Sequence, residues 1–157
     1  MVAEWHRLAS QKLFLSETLL RQQSEAHEPV AEAMRQGSIE LALRGRQCLL
    51  TLIARHYQYK TAQPRSLDEL VELIGPETRE ARFLAELNRQ AGSWWNHLEQ
   101  LEHSQAYPAV KKKTVSDENI ISVAAETGPD RSSSAIAGSL EAMRRFLSDL
   151  TAWHDEW

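Results

Sequence analysis

Apolar positions along this chain recur at intervals of three and four, the period of a helix with one face in a core and the other in water. Trp5, Leu8 or Ala9, Leu13, Leu15 or Ser16, and Leu19 or Leu20 trace such a stripe and predict a first helix from Ala3 to about His27. Pro29 suits the first turn of the next helix, where no N–H is needed. A second stripe runs Val30, Met34, Gly37, Leu41, Gly45, Cys48 and Leu52 in one unbroken phase. Two readings compete for its glycines. Gly37-Ser38 would end the helix with Ser38 as a fresh cap, or both glycines mark a close approach by a neighbouring helix. The unbroken phase favours a continuous helix to about Tyr59. Cys48 to Ala54 is apolar nearly all round, so this helix should cross the middle of the domain as its spine.

Beyond a loop at Thr61 to Pro64, Ser66-Leu67-Asp68-Glu69 forms a capping box that opens a short helix, with Leu67, Leu70, Val71 and Ile74 inward and Gly75-Pro76 at its end. A fourth helix is predicted from about Pro76 to Gln90, with Ala81, Leu84 and Leu87 inward. Gly92-Ser93 then offers a stop and a cap. Trp94, Trp95, Leu98 and Leu101 belong to a fifth helix. From Tyr107 to Ser134 the periodicity disappears across Lys111 to Lys113, Asp117-Glu118 and Gly128-Pro129. Residues 108–134 read as a long irregular connection, mobile or draped on the surface, with Ile120, Ile121 and Val123 as its apolar anchor. Ile136, Leu140, Met143, Leu147 and Leu150, with Phe146 and Trp153 beside them, predict a last helix from about Ala135 to His154.

Such stripes must bury one another. The expected architecture is all-α, one up-and-down helical bundle over residues 1–157 with about four to six helices. Composition agrees, since a chain of 157 residues with 6 Gly and 5 Pro is large enough for one core and poor in turn formers. A formal charge of −4 argues against general nucleic-acid binding. Cys48 is the single cysteine and sits among leucines, so it reads as a packed thiol. The N-terminal residues contain no apolar run of the signal-peptide kind, and no window suits a membrane span, so the chain reads as cytoplasmic.

Candidate chemistry is sparse. The six histidines form no His-x-x-x-His or His-Glu-x-x-His pattern. Glu99 and His103, one turn apart, read as a surface pair. His154 has no well-spaced acidic neighbour on its own helix. Phosphate-binding glycine motifs and the serine-hydrolase elbow are missing from the sequence, so no catalytic residue, cofactor or metal is expected. Arg44, Arg46, Arg55, Lys60 and Arg65 surround the second half of the spine helix and offer a site for an anion or an acidic partner. Among the five tryptophans, Trp94 and Trp95 stand about 100° apart on a helix, so only one can point fully inward. Trp94, Trp95, Arg44, Arg55 and Arg65 are therefore the expected interaction surface.

Ala9-Ser10-Gln11-Lys12-Leu13-Phe14-Leu15, Arg65 to Leu70, the Ser93-Trp94 helix start and Met143-Arg144-Arg145-Phe146-Leu147 before a final Trp resemble a helical gammaproteobacterial family of unknown function. That resemblance implies a bacterial, cytoplasmic helical protein and carries over no catalytic residue. The stretch from Ser38 to Leu73 also resembles the middle of HEPN-type bundles, some of which are toxin ribonucleases with an Arg-x(4 to 6)-His motif. Arg21 and His27 match the spacing, although at the end of the first helix and not on the later helix where that family carries it. Arg144 and Arg145 stand too far before His154 to serve. The expected function is a non-catalytic bundle acting through protein contacts, with a partner protein or as a homodimer. An RNA-cleaving or toxin–antitoxin component built on Arg21 and His27 is the alternative.

Overall fold

In the computed structural model, the backbone is described for residues 1–109, 111–116, 119–126 and 128–155, and the side chains for 1–109 and 128–155. Among these residues the chain forms six helices: α1 (Val2–Gln23), α2 (Val30–His56), α3 (Leu67–Ile74), α4 (Arg79–Arg89), α5 (Trp94–Ala106) and α6 (Ser133–Asp155). The long connection before α6 folds back on itself as an antiparallel hairpin, β1 (Lys111–Ser116) paired with β2 (Asn119–Glu126). Whether Ile120, Ile121 and Val123 anchor it lies outside the described side chains.

α1 and α2 form an antiparallel helical hairpin packed along its length. The buried face of α1 is Ala9, Leu13, Ser16, Leu20 and Gln23, an alternation of four and three that keeps one seam toward its neighbour. On α2 the facing positions are small. A Cβ on Gly45 would lie 3.1 Å from Leu13 Cδ2, and one on Gly37 would lie 3.1 Å from Leu19 Cδ1. The glycines thus admit α1 closely without interrupting α2. Ser38 is no cap. It is buried in the same seam, where Ser16 Oγ donates to its carbonyl at 2.7 Å and Ser38 Oγ donates to the Ser16 carbonyl at 2.9 Å.

From Cys48 to Ala54 every residue of α2 is buried, and α2 packs against α1, α3, α5 and α6. It is the spine. α6 runs antiparallel to α1, with Ser133 bonded to Gln23 at one end and Arg144 paired with Glu17 further along. Its Ile136, Leu140, Met143, Phe146, Leu147 and Leu150 fill the core from the far side. α5 is antiparallel to α2 and is tied to α6 by His97, whose Nδ1 meets Ser139 Oγ at 2.6 Å and whose Nε2 meets the Asp130 carbonyl at 2.7 Å.

Local signals set the helix ends. Ser66 Oγ accepts from the Glu69 N–H at 3.1 Å, but the Glu69 carboxylate reaches back to the Arg65 N–H and not to Ser66, so only half of the expected box forms. Gly75, at φ 87°, ends α3. α4 starts at Arg79 rather than Pro76, because Pro76 and Glu77 form a turn in which Thr78 Oγ bonds the Gly75 carbonyl. Ser93 caps α5 as expected, accepting from the Asn96 N–H at 3.2 Å. Among the described residues no helix is long and apolar enough to cross a membrane.

Candidate functional site

The basic cluster around α2 separates into two groups. Arg55 is 6% exposed, and its Nη1 donates to the carbonyls of Tyr59 and Ala62 at 2.6 Å each. It stitches the loop after α2 onto the helix end while its guanidinium covers the Trp5 ring at 5.4 Å. The expectation that Arg55 belongs to an interaction surface is therefore corrected, because its buried guanidinium is taken up by these loop carbonyls and by Trp5. Arg46, also buried, holds Glu99 Oε1 at 2.8 Å and Glu102 Oε2, and lies 5.1 Å from the Trp95 ring. Glu99 is thus turned to α2 rather than to His103, whose ring packs on Tyr107.

Arg44 and Arg65 do remain exposed, at one concave site. Both line a cavity of about 350 Å³ on the α2–α5 seam together with Glu40, Leu43, Arg46 and Glu102. A wider groove of about 890 Å³ continues along the seam past Glu32, His103, Tyr107 and Arg131.

A second polar cluster closes the C-terminal end of α2, and sequence spacing gives no hint of it. Glu80, in the first turn of α4, is 1% exposed. Its two oxygens accept from Tyr57 Oη and meet His154 Nε2 at 2.7 Å. The His56 ring stacks on His154 with centroids 4.0 Å apart and planes 11° from parallel. Burial, and then the neighbouring His154, lower the His56 pKa to about 4. Burial, and then the Glu80 carboxylate that takes its hydrogen bond, raise Tyr57 to about 12. The cluster joins the ends of α2 and α6 to the start of α4. None of its four residues lines either cavity.

The tryptophans resolve as the helical geometry requires. Trp95 is 1% exposed and packs in the core, which removes it from the expected surface; Trp94, one position earlier, is half-buried. Trp94 lies 5.8 Å from Phe146, which stacks on Phe83 at 4.9 Å and meets Trp153 at 5.9 Å. This chain of rings runs from the core to Phe83, an apolar residue 36% exposed on α4. Arg79 lies over the Trp153 ring at 4.9 Å. Arg79, Arg82, Phe83, Glu86 and Arg89 share the exposed stripe of α4, with three cations to one anion. Phe83 and the α4 arginines were the residues missed in the sequence, since one exposed Phe in a polar helix carries no signal until its neighbours are known.

Arg21 and His27 are both exposed, line neither cavity, and make no side-chain hydrogen bond among the described residues. Cys48 is buried, and burial raises its thiol pKa. Among the described residues no three potential ligands cluster as a metal would require. Comparison with protein-family models, with curated proteins and with solved structures finds no match to this chain.

Proposed function

We propose that this chain is a non-catalytic adaptor of the bacterial cytoplasm, a helical bundle that holds another protein on the α4–α6 face. The observation that carries this reading is Phe83, the exposed end of an aromatic chain rooted in the core and set in the basic stripe of Arg79, Arg82 and Arg89. Rigid aromatic rings beside arginine are the side chains in which interface centres are richest. A complementary segment is acidic and carries one bulky apolar side chain, which covers Phe83 while its carboxylates meet the arginines. The inward bonding of Glu80 with Tyr57 and His154 supports a structural use of the most chemically suggestive cluster.

The test places a photo-crosslinking phenylalanine analogue at Phe83 in the native cell. The expected result is one discrete adduct with a different protein, joined at an acidic segment and lost on R79E/R82E charge reversal. An adduct with a second copy of this chain would move the reading to a homodimer and overturn the adaptor. A basic attachment segment, or no adduct, would also overturn it.

A further inference from the structure

Three guanidinium groups converge on the smaller cavity of the α2–α5 seam, and like charges at one concave site repel unless each is compensated. Arg46 is compensated inside the fold by Glu99 and Glu102. Arg44 and Arg65 are not, since neither pairs with a carboxylate among the described residues. Arg44 donates to the neutral Gln47 Oε1 at 3.1 Å, while Arg65 is held by its backbone N–H on Glu69. Glu40 stands four residues before Arg44, the spacing at which the two would ordinarily pair on a helix. Its Oε1 instead accepts from Gln105 Nε2 across the seam at 3.1 Å. Leu43, Leu50 and Ala106 supply an apolar wall.

We propose that this cavity binds a small organic oxyanion, a carboxylate or phosphate ester, clamped between Arg44 and Arg65 with its apolar part against Leu43. The guanidinium fork matches either head group with two parallel hydrogen bonds, which makes arginine the suited side chain for both. The cavity volume of about 350 Å³ falls at the small-metabolite end of ligand sites. Glu40 opposes the ligand, because its carboxylate lines the same cavity and carries the same sign of charge.

The experiment titrates the full chain with phenyl phosphate and, separately, with benzoate, following the arginine Nε–Hε signals by NMR. Arg44 and Arg65 are expected to shift in a saturable way with a dissociation constant of about 1 mM or tighter for at least one probe. R44Q and R65Q should each weaken binding by about tenfold. E40Q should tighten it by about threefold, and R7Q, at an exposed position of α1, should leave it unchanged. Preference for phenyl phosphate assigns the site to phosphate esters, preference for benzoate to carboxylates, and equal binding supports the shared oxyanion chemistry. The proposal is overturned if neither probe saturates by about 20 mM, or if binding survives both R44Q and R65Q unaltered. All four positions are exposed in helices or loops, and thermal unfolding checks that each variant folds.

Discussion

Ser16 and Ser38, both fully buried, exchange hydroxyl hydrogen bonds with each other's backbone carbonyl across the α1–α2 seam. Each hydroxyl satisfies itself within the pair, so two polar groups enter an apolar seam without an orphaned donor. Removing one should cost about 1–2 kcal/mol. The double variant S16A/S38A should cost about 1 kcal/mol less than the sum of S16A and S38A, as expected for partners in one network. Urea unfolding of the four proteins measures the coupling, and strict additivity would contradict it.

The glycines of α2 and α6 should respond in opposite ways. Gly138 has nothing within 4 Å of an added Cβ, so G138A should gain the ordinary helix-propensity difference of about 0.5–1 kcal/mol. That raises Tm by about 1–4 °C in a chain of this size. At Gly45 the new methyl meets Leu13 at 3.1 Å, and the larger side chain of G45L should destabilise by about 1–3 kcal/mol by forcing α1 away. Calorimetry of both variants decides this.

The C-terminus of α2 ends with the Tyr59 N–H on the Ala54 carbonyl and the Gln58 N–H on the Arg55 carbonyl, both at 3.0 Å. Gln58 occupies the left-handed position of that motif at φ 68°, where glycine is ordinarily found. Q58G should therefore stabilise the protein by about 0.5–1 kcal/mol, and Q58V should destabilise it. An unchanged urea midpoint for Q58G would count against the assigned backbone geometry.

His56 should make the fold acid-sensitive. Its pKa is about 4 in the fold against an ordinary value of 6.5, so between those pH values the unfolded chain binds the extra proton. The contribution is complete above about pH 6.5 and is lost as pH falls through about 4. Its partial exposure screens the effect to about 2 kcal/mol. The groups facing His56 are His154 and Asp155 on α6, Glu80 on α4 and His6 on α1. H56F keeps a stacked ring without a titrating nitrogen, so the stability gap between pH 7 and pH 4.5 should narrow by about that amount. Chemical denaturation at the two pH values provides the readout, and equal gaps would refute the assignment.

The helices, their order and most of their inward faces were legible in the chain, because a three-and-four repeat of apolar side chains has few other ways to leave water. The continuous α2, the buried run from Cys48 to Ala54, and the serine caps at Ser66 and Ser93 all follow from residues close in sequence. So does the division of labour between Trp94 and Trp95, which the 100° step of a helix imposes. Arg44 and Arg65 were marked by charge, yet only the fold set them at one cavity and withdrew Arg55 from the surface.

The rest depended on partners far apart in sequence. Glu80 belongs by composition to a polar helix face, and nothing near it marks a buried carboxylate; its partners Tyr57 and His154 come from α2 and α6. Local periodicity thus determined which residues turn inward, through the cost of hydrating apolar surface. Tertiary packing decided which polar groups went in with them, because a buried charge is tolerated only where distant helices bring it a hydrogen-bonding partner.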